Sequence, residues 1–157
     1  NAGLEEKIID FGSHAMNSMR IEKGYRGWGT ELTSEISVVE AGLDRFFNLE
    51  HKSNFIGATA IKDLIDNVKL KLVYLELDAK DADALGNEPV FYNNKRVGLT
   101  TSGAYGFRVK KSLAFAYVDS SLDKLNNEFQ INIQGNKINA KIIQEPAFDP
   151  ENKRLKS

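Results

Sequence analysis

The segment from Met19 to Glu31 combines residue types that can bind a flat, partly anionic molecule. Arg20 and Glu22 stand where a predicted helix gives way to a loop, and that loop contains Tyr25 and Trp28. A guanidinium can donate parallel hydrogen bonds and can stack on an aromatic ring. These residues therefore suggest recognition of a planar ligand by hydrogen bonds and stacking, which makes each of the four a candidate binding residue.

The same loop contains Gly24, Gly27 and Gly29, which exclude a regular helix or strand and predict turns with positive φ. Loops that are rich in arginine and aromatic residues often carry function. A structural loop that one aromatic side chain fixes in place is the alternative that composition leaves open. A second candidate is the basic end of the chain, Asn152 to Arg154, which could close over an acidic group.

Other chemistries find little support in the sequence. The three glycines follow a predicted helix and not a strand, so they do not fit a dinucleotide-binding turn. His14 and His51 lack the spacing of metal ligands, and without cysteine there is no disulfide or thiolate site. We expect the hydroxyls of the run Thr101-Ser102-Gly103 to satisfy backbone groups in a turn and not to attack a substrate.

Composition limits the number of domains and the classes of partner that this chain can have. The chain has 157 residues, 27% of them charged, with a formal net charge of −1, which suits one domain or two small ones. This charge gives no electrostatic footprint for nucleic acid. No apolar run approaches the roughly 20 residues of a membrane span, so we expect no membrane partner. We expect a cytoplasmic protein, or a mitochondrial matrix protein if the source is eukaryotic.

The elements around the loop follow from periodicity. Apolar residues at helical spacing predict a helix over residues 4–18, and Val38 to Phe47 is typical of a strand that Gly42 interrupts. Asn54 is predicted to cap a second helix over residues 55–65. Residues 4–66 thus predict a helix, the glycine-rich loop, a strand and a further helix.

The second half changes to a period of two. Alternating or continuous apolar residues predict strands over 69–78, 90–92, 97–103, 113–118, 128–134 and 137–143. Asn93-Asn94 and Gly135-Asn136 are hairpin turn signals, and the chain beyond Asn152 is predicted to be loose. About six strands with short turns favour a small antiparallel β-barrel, so the predicted fold class is α+β.

The chain does not begin with Met, and Asn1-Ala2 resembles the residue of a cleaved tag. From Gly3 the sequence enters a predicted helix at once. We expect it to be a piece of a longer protein, with a mature processed protein as the alternative.

Several motifs together resemble the glycine-cleavage T-protein (aminomethyltransferase) family. Met19 to Thr33 is similar to its L-R-x-E-x-G segment, and Val39 to Leu43 to its P-x-E-[AG]-x-L strand. Further matches lie at Phe55-Ile-Gly57, at Gly98 to Gly103 and at Ser112 to Val118. The sequences of the loop and of the tail from Phe148 to Leu155 most resemble the C-terminal tetrahydrofolate module of dimethylglycine and sarcosine dehydrogenases.

The resemblance implies a partial T-protein-like fold: a mixed α/β subdomain over 3–66, the barrel over 67–150 and a tail over 151–157. It implies a tetrahydrofolate site at Arg20, with Glu22 orienting Arg20 or the loop, Tyr25 and Trp28 walling the channel, and Arg154 or its neighbour contributing a contact from the tail. It further implies small-amine chemistry in which tetrahydrofolate captures a one-carbon unit.

The carboxylates that engage the pterin in this family lie upstream of the first helix, as does the flavin domain with FAD in the dehydrogenases. We therefore expect no catalytic residue in this segment, which would be inactive without the preceding part of the same protein. A stand-alone T-protein, a related folate-dependent demethylase and a noncatalytic folate-binding factor are the alternatives.

Overall fold

The computed structural model describes residues 3–47, 49 and 55–156. Its helices are α1 (Ser13–Glu22), α2 (Ala58–Ile65) and α3 (Lys153–Lys156). Its strands are β1 (Leu70–Leu77), β2 (Pro89–Tyr92), β3 (Lys95–Gly106), β4 (Lys111–Asp119), β5 (Glu128–Ile133) and β6 (Asn136–Ile142). None of the helices in these described ranges is long and apolar enough to cross a membrane.

The six strands form a closed antiparallel barrel in the order β1-β4-β3-β2-β5-β6. Closure follows from β1, which pairs with β4 along its whole length and with β6 at its C-terminal end. The β2–β3 hairpin turns at Asn93 and Asn94, both of which have positive φ, as their residue type favours. The predicted α+β class with a small antiparallel barrel is confirmed.

Strand β4 shows why one predicted strand is apolar without alternation. Ala114, Ala116 and Val118 point into the barrel, where they join the main core. Leu113 and Phe115 point outward and are buried with Ile21 of α1 in a second cluster. Because α1 covers the outside of this strand, both of its faces are buried and neither can be polar.

The prediction of a helix over residues 4–18 is wrong in its bounds. Residues 3–12 form turns and irregular chain, and the helix begins at Ser13 and continues to Glu22. The apolar stripe that suggested an earlier start is exposed at Leu4, Ile8 and Phe11. Short helices depend on packing of an apolar face, and these residues have none here.

The predicted strand over 38–47 is also wrong. This segment forms turns and a short 3₁₀ helix at Asp44–Phe46. Gly42 has a φ of +63°, a left-handed conformation that interrupts an extended chain. The Ser37 backbone and hydroxyl both donate to the Glu40 carboxylate, which closes a turn just before it.

The second helix begins at Ala58 rather than Phe55, because Gly57 before it has a φ of +91°. Its predicted cap, Asn54, lies outside the described residues. The tail beyond Asn152 was predicted to be loose, but it forms the short helix α3. Asp149 caps that helix by accepting hydrogen bonds from the backbone N–H groups of Lys153 and Arg154.

Candidate functional site

Helix α1 positions Arg20 against the outer surface of the barrel. The Ser18 hydroxyl donates to the Tyr105 carbonyl at 2.6 Å, and the Asn17 amide donates to the Gly103 carbonyl at 3.3 Å. Both acceptors lie on β3, so polar side chains of α1 fix the helix to this strand. Arg20 in the last turn is thereby held against the barrel, at the start of the glycine-rich loop.

Glu31, at the far end of the loop, is the most enclosed charge of the site, with 0% of its side chain exposed. Its Oε2 accepts hydrogen bonds from Arg20 Nη1 at 3.0 Å, Gly27 N at 2.7 Å and Thr30 Oγ1 at 2.8 Å. Its Oε1 accepts from the hydroxyls of Thr101 and Ser102 at 2.6 and 2.5 Å. Five donors thus surround one carboxylate.

A β-bulge at Thr101 makes the contact with two consecutive hydroxyls possible. In the β3–β4 ladder Thr100 pairs with Ala116 and Ser102 with Phe115, so that Thr101 is an extra residue. Side chains normally alternate between the two faces of a strand. The bulge interrupts that alternation and lets Thr101 and Ser102 reach the same oxygen.

The donors decide the charge of Glu31. Burial raises the pKa of this carboxyl, but hydrogen bonds from Ser102, Thr101, Gly27 and Thr30 outweigh burial, and the pKa is lowered overall. Glu31 is therefore an anion at neutral pH, ion-paired with Arg20. Nearby, burial raises the pKa of the Tyr117 phenol, which donates to the Glu31 backbone carbonyl at 2.8 Å.

The Arg20 guanidinium is largely used by the protein itself. Its Nε and Nη2 donate to the Asn17 side-chain oxygen at 3.0 and 2.5 Å, while Nη1 donates to Tyr25 O and to Glu31, both at 3.0 Å. The side chain is 17% exposed. The expectation that Arg20 offers its planar fork for two parallel hydrogen bonds to a ligand is thus wrong, because protein acceptors already occupy most of that fork.

Glu22 lies at the same helix end but serves another part of the molecule. Its buried carboxylate accepts hydrogen bonds from the backbone N–H groups of Arg108 and Val109 at 2.7 and 3.0 Å. These groups belong to the turn between β3 and β4. Glu22 was expected to orient Arg20 or the loop, but its carboxylate holds the β3–β4 hairpin, and Asn17 and Glu31 hold Arg20.

Arg26 anchors the middle of the loop, which sequence reasoning did not foresee. Its guanidinium forms a two-pronged ion pair with Glu145 and donates to the carbonyls of Gly24 and Ala41. It also lies over the Phe115 ring, 5.4 Å from the ring centroid. This side chain joins the loop to the segment after β6, so two arginine–glutamate ion pairs fix the loop.

The two aromatic candidates are presented outward on this fixed support. Tyr25 is 52% exposed and Trp28 is 79% exposed. Gly29, with a φ of +85°, donates its N–H to Leu32 O at 2.7 Å and closes the turn after Trp28. The alternative of a loop that an aromatic plug fixes is therefore wrong, since charged side chains fix it and both rings face out.

The tail approaches the same end of α1. Lys23 Nζ donates to the Asp149 carbonyl at 2.6 Å, and Phe148 N donates to the Glu22 carbonyl at 3.0 Å. Arg154 lies over the Phe148 ring at 5.5 Å from its centroid. The structure thus brings the tail that carries Arg154 to the helix end that carries Arg20.

A groove lies elsewhere on the molecule. It has a volume of about 950 Å³, is lined by residues of β1, β2, β5 and β6 and of their adjoining turns, and contains none of the predicted site residues. Side-chain amides, Phe91, three carboxylates and Lys141 line this groove. A groove of this polarity is typical of solvated surface, so the constellation around Arg20 remains the better candidate site. Within the described part of the chain no group of carboxylates and histidines could hold a metal ion.

Glu31 is the central charge of the candidate site, and the sequence analysis assigns it no role. The expectation that Thr101 and Ser102 satisfy turn backbone is wrong, because both hydroxyls donate to this carboxylate. A lone glutamate after three glycines and two adjacent hydroxyl residues some 70 positions later were visible in the sequence. Nothing local, however, shows that a bulge turns both hydroxyls toward one carboxylate.

Comparisons with known proteins agree with this architecture. Residues 71–149 match the family described as glycine cleavage T-protein C-terminal barrel domain, and residues 1–51 match the GCVT N-terminal domain. The chain is 43% identical to the mitochondrial dimethylglycine dehydrogenase of Homo sapiens, over 99% of this chain and 18% of that protein. It is 34% identical to an aminomethyltransferase of Acidobacterium capsulatum, over 94% of this chain and 39% of that protein.

A solved structure shares the fold. The glycine cleavage system aminomethyltransferase T from Bartonella henselae superposes with a TM-score of 0.77 at 25% identity, over 85% of this chain and 38% of that one. The chain spans 18% of the length of the dimethylglycine dehydrogenases that it matches. The matched barrel, together with the N-terminal match and the shared fold, shows that this chain belongs to the glycine cleavage T-protein family.

Proposed function

We propose that this chain is the C-terminal part of a tetrahydrofolate-dependent one-carbon (aminomethyl) transfer module, in a protein similar to dimethylglycine and sarcosine dehydrogenases. The 43% identity to a dimethylglycine dehydrogenase, against 34% to an aminomethyltransferase, supports this choice. The match to 18% of the dehydrogenase supports a preceding part of the same protein as partner, which would carry FAD. A stand-alone aminomethyltransferase is the second candidate, because that match covers 94% of this chain.

One observation carries the location of the folate site: the Arg20 guanidinium at the end of α1 lies against a loop whose two aromatic side chains face outward. Trp28 and Tyr25 offer apolar ring faces on which a planar ring system can stack. Arg20 keeps one N–H and a positive charge for an oxygen of that ring system or of a carboxylate. These residues fit a flat, partly anionic molecule such as tetrahydrofolate.

The tail supplies the second charge in this proposal. Arg154 lies on α3, which Asp149 caps and Lys23 ties to the end of α1. A cation there would meet an acidic group of a ligand that Arg20 binds at its other end. Glu22 acts from behind by holding the β3–β4 turn, and makes no direct ligand contact in this proposal.

Bound tetrahydrofolate would supply the amine that accepts the one-carbon unit. The residues of this chain bind and orient that molecule and exclude water from one side of it. None of them is assigned a proton-transfer role, because Glu22 and Glu31 are both committed to structural donors. The proposal therefore needs carboxylates from the preceding part, and the division of this chain at residues 66/67 stays part of the proposal.

An exposed apolar surface supports a contact with that preceding part. Its members lie before α1 or on the side of α1 that faces away from the barrel: Leu4, Ile8, Ile9, Phe11, Met16 and Met19. Six large apolar side chains that are exposed within 16 residues are more typical of an interaction site than of free surface. We propose that the preceding part of the same polypeptide covers them.

Titration calorimetry with 5-formyltetrahydrofolate tests the site, on the longest natural polypeptide that contains this chain. Trp28→Ala removes an exposed ring and should weaken binding by about 0.5–1.5 kcal/mol without affecting folding. Arg20→Ala should weaken it by about 1–3 kcal/mol through loss of a charge-assisted hydrogen bond. Phe91→Ala, in the groove on the other side of the barrel, is the control. Unchanged affinity in Trp28→Ala and Arg20→Ala would remove the loop from the site.

Two further observations separate the candidates. The coding sequence upstream should contain a strand, a G-x-G-x-x-G turn and a helix if the protein is dehydrogenase-like, whereas a stand-alone aminomethyltransferase lacks them. The 157-residue chain alone should show no tetrahydrofolate-dependent capture of formaldehyde. Full activity of this chain alone would contradict the proposal that other carboxylates complete the site.

A further inference from the structure

We infer that Glu31 is a positioning residue for Arg20, which it holds so that the guanidinium offers a ligand one N–H. The identity of the ligand rests on the proposed function. The hold of Glu31 on Arg20 rests only on the hydrogen bonds of the structure.

The Arg20 guanidinium has one more N–H group than the described part of the protein uses. A guanidinium has five N–H groups. Arg20 donates one from Nε and one from Nη2 to Asn17, and both from Nη1, to Tyr25 O and to Glu31. Among the described residues, one N–H, on Nη2, therefore has no protein acceptor. A ligand oxygen can take that single N–H without displacing a protein contact, whereas a two-pronged grip would require the loop to open.

Glu31 is suited to fix this arrangement because it cannot easily move. Its carboxylate is fully buried, and its second oxygen is held by Thr101 and Ser102 on the bulge of β3. The barrel thus holds Glu31, and Glu31 holds Arg20. Asn17 completes the grip from α1, which is itself bonded to β3. The orientation of Arg20 is set by the same strand at two points.

The consequence for specificity is that Arg20 can bind one acceptor atom but cannot bind both oxygens of a carboxylate. A ring carbonyl oxygen in the plane of a heterocycle meets this requirement with one hydrogen bond. A carboxylate gains little from a second oxygen, because the adjacent Nη1 protons are already engaged. The site is therefore predicted to select the ring system of its ligand over a simple dicarboxylate.

Side-chain NMR of ¹⁵N-arginine-labelled 157-residue protein tests the hold itself. In the wild type, the Nη protons of Arg20 should exchange slowly with water. Glu31→Gln keeps the shape but removes the charge, so this exchange should accelerate by about tenfold or more. Glu88→Gln is the matched control, because Glu88 also accepts hydrogen bonds from a threonine hydroxyl and loop N–H groups beside the same strand, but does not contact Arg20. If Glu31→Gln fails to fold, Glu31→Asp keeps the charge but is too short to reach both sets of donors, and replaces it.

Binding of 5-formyltetrahydrofolate, measured on the same variants in the longest natural polypeptide, separates the two claims. Faster Nη exchange together with about tenfold weaker binding in Glu31→Gln, and neither change in Glu88→Gln, supports the inference. Exchange at the wild-type rate in a folded Glu31 variant overturns it, whatever the affinity. Accelerated exchange in a protein that does not bind the folate at all supports the hold on Arg20 and overturns the proposed function. Unchanged affinity despite accelerated exchange overturns the role of Glu31 in ligand binding.

Discussion

On the side of the barrel that α1 and the loop cover, Glu31 is fully buried and accepts hydrogen bonds from five donors. On the exposed surface, at the edge of the groove, Glu76 of β1 meets two partly exposed lysines, Lys111 at 2.9 Å and Lys141 at 3.8 Å. Glu31 lies beside a strand and Glu76 lies in one, but only the Glu31 carboxylate is fully removed from solvent. The comparison shows how burial dictates the number of partners that a charge requires.

The physical reason is the cost of removing a carboxylate from water. A buried charge without partners costs several kcal/mol, so the covered side must supply a donor for each lone pair that water leaves. The exposed side has no such requirement, since solvent screens its ion pairs. A buried carboxylate whose oxygens all have hydrogen-bond donors therefore marks the part of the molecule in which side-chain positions are fixed. We place the ligand site in this part.

Removal of Glu31 should have the largest effect on this contrast. Glu31→Ala leaves the buried Ser102 hydroxyl, the donors of Gly27 and Thr30 and the Arg20 charge without their acceptor. The free energy of unfolding should fall by about 3–5 kcal/mol, as for other broken buried pairs. Urea denaturation measures this loss. A loss below that of an exposed pair would show that the cluster does not stabilise the fold.

Arg26 should follow with a smaller effect. Its side chain is buried, but its partner Glu145 is partly exposed and can be hydrated when the pair is broken. Arg26→Ala should therefore cost about 1.5–3 kcal/mol, the range for hydrogen bonds to charged groups. Arg26→Lys retains the charge without the fork and should lie between the alanine variant and wild type in the same denaturation experiment.

The pH dependence of stability should report the charge of the buried Glu31 carboxyl. The pKa of Glu31 is lowered from its ordinary value of 4.5, so the unfolded chain binds this proton more readily than the folded one. Its stabilisation is present above the unfolded pKa and is lost as the pH falls through the folded pKa. Glu31→Gln should flatten the decline of melting temperature below about pH 4.5. Parallel profiles of wild type and Glu31→Gln would contradict the lowered pKa.

The smallest effect is expected on the exposed side. Lys141→Ala removes a cation that is half exposed and lies 3.8 Å from Glu76. Exposed pairs contribute about 0–1 kcal/mol, so the midpoint of unfolding should hardly move. A loss comparable to that in Arg26→Ala would remove the distinction between the two sides of the barrel.

Much of the barrel could be predicted from sequence, because its signals are local. The alternation from Glu128 to Ile142 and the turn at Asn93-Asn94 each need only neighbouring residues. The first helix was misplaced because Leu4, Ile8 and Phe11 repeat at helical spacing without a surface to pack on. Whether an apolar stripe forms a helix depends on tertiary contacts that spacing does not contain.

The candidate site, like the fold, could be predicted only in part from local sequence. Arg20 and the exposed rings of Tyr25 and Trp28 could be selected from residue type and loop composition. The engagement of Arg20 with Asn17 and Glu31 could not, because Glu31 depends on two hydroxyls some 70 residues away and on a bulge that a period of two does not reveal. Contacts of this range are set by the pairing register of β3 with β4 and not by local pattern.

The most direct measurement is an NMR titration of the uniformly ¹⁵N-labelled protein with 5-formyltetrahydrofolate, on the longest natural polypeptide that contains this chain. Trp28 is the one tryptophan of these 157 residues, so its indole N–H gives this segment a single reporter in the loop. If the folate site lies beside Arg20, we expect saturable chemical-shift changes of that indole and of backbone amides in residues 20–32 and 99–102. We expect none in groove residues 126–130 and 139–141. Shifts confined to the groove, with the Trp28 indole unmoved at saturation, would contradict the placement of the folate site beside Arg20.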